Sequence, residues 1–188
     1  MKRIVSTILI LMVAGALAAA PAKKAAAPEK PLTLVIDKMT SGDVSKSEKW
    51  WKFDRIKLTD INSEGKKYVM VKGTALDWYV GGIGTYIGKD ASSATVIRLR
   101  ILGTGKNSGK IRVEIVEDDI GSPEVEQDEK FMPTKDDKFT SKEITINWTG
   151  WKTITIPVAE LTLMNPGAGD GVWDPSTKDG QYGLLSFQ

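Results

Sequence analysis

Apolar and polar residues alternate most cleanly in Thr95-Val-Ile-Arg-Leu-Arg-Ile101, where Ile97, Leu99 and Ile101 share one parity and Arg98 and Arg100 the other. Residues 110–116 repeat the pattern, with Ile111, Val113 and Ile115 opposed to Arg112 and Glu114. A period of two puts successive side chains on opposite faces of an extended chain, so each run predicts a strand with one buried face. The intervening Gly103-Thr-Gly-Lys-Asn-Ser-Gly109 has turn chemistry and predicts a hairpin between them. Further β-like runs cover residues 32–39, 51–58, 68–73, 79–87, 143–148, 151–158 and 183–188. No window longer than about ten residues keeps a helical period beyond the N-terminal segment. Short strands at this spacing predict an all-β chain, a β-sandwich or barrel. No internal repeat or second domain is visible within residues 32–188.

The N-terminus has a different logic. Met1-Lys-Arg3 is a positive start, residues 4–17 are apolar apart from Ser6, Thr7 and Gly15, and Ala-rich positions follow to Ala22. That is the anatomy of a secretory signal peptide, expected over residues 1–22 with cleavage after Ala22. An uncleaved anchor would want about 18 or more unbroken apolar residues, so no membrane span is expected after cleavage. Residues 23–31, rich in Ala, Lys and Pro, read as a flexible leader. Export to the periplasm or the exterior follows.

Composition then excludes whole classes of chemistry. None of the 188 residues is Cys or His. Thiol nucleophiles, disulfides, His-dependent triads and zinc or haem sites with those ligands are absent, as is a lipoprotein anchor. An oxidising destination without disulfides leaves stability to the core. The chain carries 26 basic and 24 acidic side chains, and losing Lys2 and Arg3 leaves it balanced. Nothing in that balance points to a nucleic acid. The ending, Leu184-Leu-Ser-Phe-Gln188, reads like mid-strand, so the domain over residues 32–188 is expected to be truncated at its C-terminal end.

Several motifs resolve into ordinary readings. The Gly103–Lys110 stretch lacks the glycine spacing and following helix of a phosphate loop, and a strand follows it. Glu117-Asp-Asp119 ends a strand and is followed by Glu124, Glu126, Asp128 and Glu129. Such carboxylates cage calcium, which takes six to eight oxygens, or form a solvated acidic loop. A glycosidase pair is a third reading, without specific support. Asn147-Trp-Thr149 matches a glycosylation sequon, but the signal peptide does not establish the cell type that would use it.

The aromatics say more. Six Trp residues cluster as Trp50-Trp51, Trp78-Tyr79 and Trp148 with Trp151, and Trp173 stands in a Gly/Pro/Asp loop over residues 165–175. Adjacent rings on a strand point to opposite faces, so each pair sends one ring to the core and one outward. Trp173 in such a loop either covers the core edge or meets a ligand. Gly81-Gly-Ile-Gly84, between Trp78-Tyr79 and Tyr86, reads as a bulged strand lined by aromatics. Exposed rings suit glycans, because the C–H face of a pyranose is apolar while its edge hydroxyls take hydrogen bonds.

In order along the chain, Leu34-Val-Ile-Asp37, Trp50-Trp-Lys-Phe53, Trp78-Tyr-Val-Gly-Gly-Ile-Gly-Thr-Tyr86, Ile111-Arg-Val-Glu-Ile-Val-Glu-Asp-Asp119 and Trp148-Thr-Gly-Trp-Lys-Thr-Ile-Thr-Ile-Pro157 form a series. It resembles the galactose-binding-like jelly-roll modules of secreted bacterial proteins, among them carbohydrate-binding modules. The resemblance implies an antiparallel two-sheet β-sandwich of about eight strands. It also implies no catalysis by the module, and often a structural calcium between an early and a late strand.

The resulting expectation is a non-catalytic, exported protein that recognises a polysaccharide or other glycan by aromatic stacking. Trp78, Tyr79, Tyr86 and Trp173 are the candidate ligand-binding residues, and no catalytic residue is assigned. No cofactor is required; a structural calcium is an option the resemblance opens, and the sequence does not identify its ligands. The alternative is a structural or protein-interaction component of the bacterial cell envelope using the same sandwich.

Overall fold

The computed structural model describes residues 33–39, 46, 49–63, 65–75, 77, 79–106, 108–121, 124–175 and 182–187. The expected signal peptide and leader, Leu32, Trp78 and Gln188 lie outside them. Eleven strands run through the described residues. In chain order they are β1 (Trp51–Asp54), β2 (Lys57–Ser63), β3 (Lys66–Lys72) and β4 (Gly81–Tyr86). β5 (Val96–Thr104), β6 (Lys110–Glu117), β7 (Asp137–Thr140) and β8 (Ile144–Thr145) follow. β9 (Thr149–Pro157), β10 (Thr162–Leu163) and β11 (Tyr182–Phe187) complete the set.

All pairings are antiparallel. The larger sheet has the order β1-β4-β11-β6-β7-β10, with β8 beside β6, while β2 pairs with β3 and β5 with β9. Burial follows strand parity. Ile111, Val113 and Ile115 of β6 are buried, as are Phe139 of β7 and Ile156 of β9. Val113, Ile115 and Ile156 form one cluster with Ile97, Leu99 and Ile154, so the β5–β9 pair packs on the inner face of the larger sheet. A second cluster joins Trp50, Ile56, Leu58 and Ile83 to Val69 and Val71, which seats the β2–β3 hairpin on the same sheet. The chain is therefore an all-β sandwich.

Some expected elements differ. Residues 103–109 do not close a hairpin: β5 pairs with β9 and β6 with β11, in opposite layers. The apolar face of each strand is buried in either arrangement, so alternation does not choose between them, and a glycine-rich bend serves either path. The run over residues 51–58 is broken into two strands at Asp54, whose φ is 57°. Residues 34–39 form no strand but are tethered: Asp37 Oδ2 accepts from Trp50 Nε1 at 3.0 Å and Lys49 Nζ at 2.9 Å. Only Ile144–Thr145 of the 143–148 run pairs. β7 and β10 escape the pattern because they are short and carry polar residues. The 81–84 glycines do not bulge, since β4 keeps continuous register with β1 and with β11.

Candidate functional site

The face of the larger sheet turned away from the core is fixed by register. Trp51 lies opposite Gly84, which lies opposite Leu184, and Leu184 lies opposite Glu114. Flanking rows set Phe53 beside Gly82 and Ser186 beside Arg112 on one side, and Tyr86 beside Tyr182, with Val116 and Lys138 beyond, on the other. With strands about 4.8 Å apart, Trp51 and Glu114 stand roughly 14 Å from each other along this surface.

The glycines here answer to a ring. A Cβ on Gly84 would lie 2.5 Å from Trp51 Nε1, so the indole rests directly on the β4 backbone. From there it meets Tyr86 edge-on, with centroids 5.3 Å apart at 70°. Tyr86 remains 49% exposed, which leaves ring surface open to solvent. Trp50, one residue back, points the other way into the core. Tyr79 is partly buried and hydrogen-bonded to Asp54; burial first, then the Asp54 charge, push its phenol up to about 12, with Glu114 adding to the shift. Lys138 pairs with Glu114 at 3.0 Å, both largely shielded from solvent. Arg112 Nε is buried with no hydrogen-bond partner. An exposed ring braced by a second one, with charged groups beside it, is suited to a ligand with apolar faces and polar edges.

Of the four rings nominated from sequence, Tyr79 and Tyr86 belong to this region and Trp78 lies outside the described residues. Trp173 is elsewhere: partly buried at the end of the core, edge-to-face on Phe139 with centroids 5.4 Å apart. Sequence reasoning missed Trp51, Arg112, Glu114 and Lys138. The signal for Trp51 was present, because Trp50-Trp51 must split between faces and Gly84 leaves room for a ring. Arg112 and Glu114 were legible only as the polar parity of β6. A second aromatic group joins Trp151 of β9 to Tyr68 of β3, but Arg100 covers the Trp151 ring at 5.1 Å.

Carboxylates crowd the other end of the molecule, where β6 and β7 meet residues 165–175. Asn165 fastens that loop, donating to the carbonyls of Pro133 and Asp136 and accepting from Lys138 N. Glu117, Asp136 and Asp137 are buried, and oxygens of Asp119, Asp137 and Asp170 lie within 4.8 Å of one another. Burial, reinforced by the neighbouring Asp174, pushes the Glu117 carboxyl up to about 9. Asp136 is pushed up to about 6, chiefly by burial. Asp119 is raised by burial and by the charges of Asp137 and Asp170.

No family model matches the chain, and no curated protein does. Among solved structures it is similar to the family 11 carbohydrate-binding module from Clostridium thermocellum in complex with a β-1,3-1,4-mixed-linked tetrasaccharide. That likeness has 14% identity and a TM-score of 0.34, over 80% of this chain and 85% of the other. It is also similar to the family 11 carbohydrate-binding module of the cellulosomal cellulase Lic26A-Cel5E of Clostridium thermocellum. There the identity is 13% and the TM-score 0.28, over 81% of this chain and 95% of the other. Likeness at this level leaves function to the side chains described above.

Proposed function

We propose that this chain is a non-catalytic carbohydrate-binding protein, exported from the cytoplasm, that holds a glycan against the outer face of its larger sheet. The observation that carries the reading is Tyr86, a ring 49% exposed and braced by Trp51 on the face that also carries Arg112 and the Glu114–Lys138 pair. Stacking removes apolar ring and C–H surface from water, and the Glu114–Lys138 pair on the same face supplies an acceptor and a donor for sugar hydroxyls.

A retention screen of the chain from Lys23 against immobilised polysaccharides tests this directly. Tyr86→Ala should weaken binding by about 1 kcal/mol or more, roughly fivefold, with melting little changed. Trp151→Ala, on the other layer, should bind as wild type does. Retention on none of the polysaccharides, or equal losses in the two variants, overturns the assignment.

A further inference from the structure

The strands that cover the larger sheet carry charge of one sign on their outer side. Val69 and Val71 of β3, Leu99 of β5 and Ile154 and Ile156 of β9 turn to the core clusters. Alternate positions on those strands and on β2, their partner in register, therefore point away from the larger sheet. The charged residues among them are Lys57, Lys66, Lys72, Arg98 and Arg100, and all are exposed. No Asp or Glu occupies an outward position on β2, β3, β5 or β9. The ion pairs of the described residues are made by other lysines.

Two features show that this is more than a solvated surface. Lys57 and Lys72 lie directly opposite each other across the β2–β3 ladder. Like charges in that relation repel, so the pair lowers the stability of the isolated chain. With Arg55 they line a cleft completed by Gly73 and Thr74. Three cations around one hollow, with no carboxylate in its wall, suit an oxyanion. The same face also exposes apolar surface: Met70 is 41% exposed, Trp151 39% and Leu102 36%. Leu102 lies opposite Trp151 in the ladder, and the Trp151 ring meets Tyr68 edge-on with centroids 5.6 Å apart.

We propose that this face docks on an anionic lipid surface, with a headgroup phosphate seated in the cleft of Arg55, Lys57 and Lys72. The outward cations come from β2, β3 and β5 and are spread over a sheet, and a bilayer likewise spreads its charge over a plane. Tryptophan and tyrosine suit the level where headgroups meet acyl chains, with the ring in apolar surroundings and its polar tip wet. A soluble polyanion would engage the cations alone and leave Met70, Leu102 and Trp151 without a role. The whole chain has a net charge of only +2, so the attraction belongs to this face and not to the molecule at large. The face lies on the opposite side of the sandwich from the glycan-binding surface, and either reading can fail without the other.

The test sediments the chain from Lys23, which lacks the apolar N-terminal segment, with vesicles of phosphatidylcholine alone or mixed with phosphatidylglycerol. The mixed vesicles should carry the protein down, the neutral ones should not, and added salt should weaken the binding. Lys57→Gln should lower vesicle affinity about fivefold. The same variant should melt no lower than wild type, because it relieves the repulsion with Lys72. Leu102→Ser should weaken binding without altering its salt dependence. Lys130→Gln, an exposed cation in the loop between β6 and β7, should change nothing. No sedimentation with the mixed vesicles, or equal sedimentation with both kinds, overturns the proposal. So do equal losses in Lys57→Gln and Lys130→Gln. Dextran sulfate binding as tightly as the mixed vesicles, with Leu102→Ser silent toward both, assigns the face to a soluble polyanion and overturns the lipid.

Discussion

Tyr79 and Trp51 show how much a single neighbour decides. The Tyr79 phenol is raised to about 12, first by burial and then by Asp54, whose carboxylate it faces. An acid whose folded pKa exceeds its unfolded value, about 10 for tyrosine, contributes its full stability below the unfolded value. That contribution is lost as pH rises through the folded value, because the unfolded chain releases the proton first. Stability is therefore expected to fall between about pH 10 and 12, and Tyr79→Phe should remove that part of the slope. Subtracting the phenolate absorbance titration of Tyr79→Phe from that of wild type should isolate one group ionising near 12; a difference centred near 10 contradicts the Asp54 contact. Trp51 depends on a neighbour of the opposite kind. Its indole has a place only because residue 84 lacks a side chain.

At the scale of elements, strand parity governs energetics. Ile156 and Thr155 are adjacent in β9, yet Ile156 is 7% exposed and pairs with Ile97 over the core, while Thr155 is exposed and pairs with Arg98. Ile156→Ala should cost about 2–5 kcal/mol, from lost transfer energy plus the cavity left behind. Thr155→Ala should stay within about 0.5 kcal/mol. Urea unfolding of the two variants measures both, and comparable losses would mean that β9 is shifted by one residue. The alternation in β5 and β6 was readable for the same reason: four or more alternating positions leave only one face to bury. The partner of each strand was not readable, because an apolar face records that it is covered and not by which element.

For the whole molecule, the decisive strand comes last. β11 lies between β4 and β6, in register with Gly81–Tyr86 on one side and Ile111–Val116 on the other. Without it, two interior strands would present unpaired backbone donors and acceptors to each other across a gap. A chain ending at Gln181 is expected to lose cooperative melting by circular dichroism, and a peptide of residues 181–188 added in trans should restore it. Retained cooperative melting in the shortened chain would show that β4 and β6 close the sheet without β11.

The sequence by itself determined the all-β class, because period-two alternation, glycine-rich turns and the lack of a sustained helical period leave strands as the way to bury those faces; the choice of a sandwich over a barrel, which the resemblance implied, was made by how the layers pack. It also determined what chemistry is absent, since no Cys or His is present to perform it. Which strands pair, and so which polar residues share a surface, was decided only by tertiary structure. Tyr86 and Arg112 are brought onto one face across β11, and Asp119, Asp137 and Asp170 are brought within 4.8 Å from three separate stretches of chain. Local pattern encodes which side of a strand meets water; contact between distant segments depends on how the layers close over one another, and no short stretch of sequence carries that information.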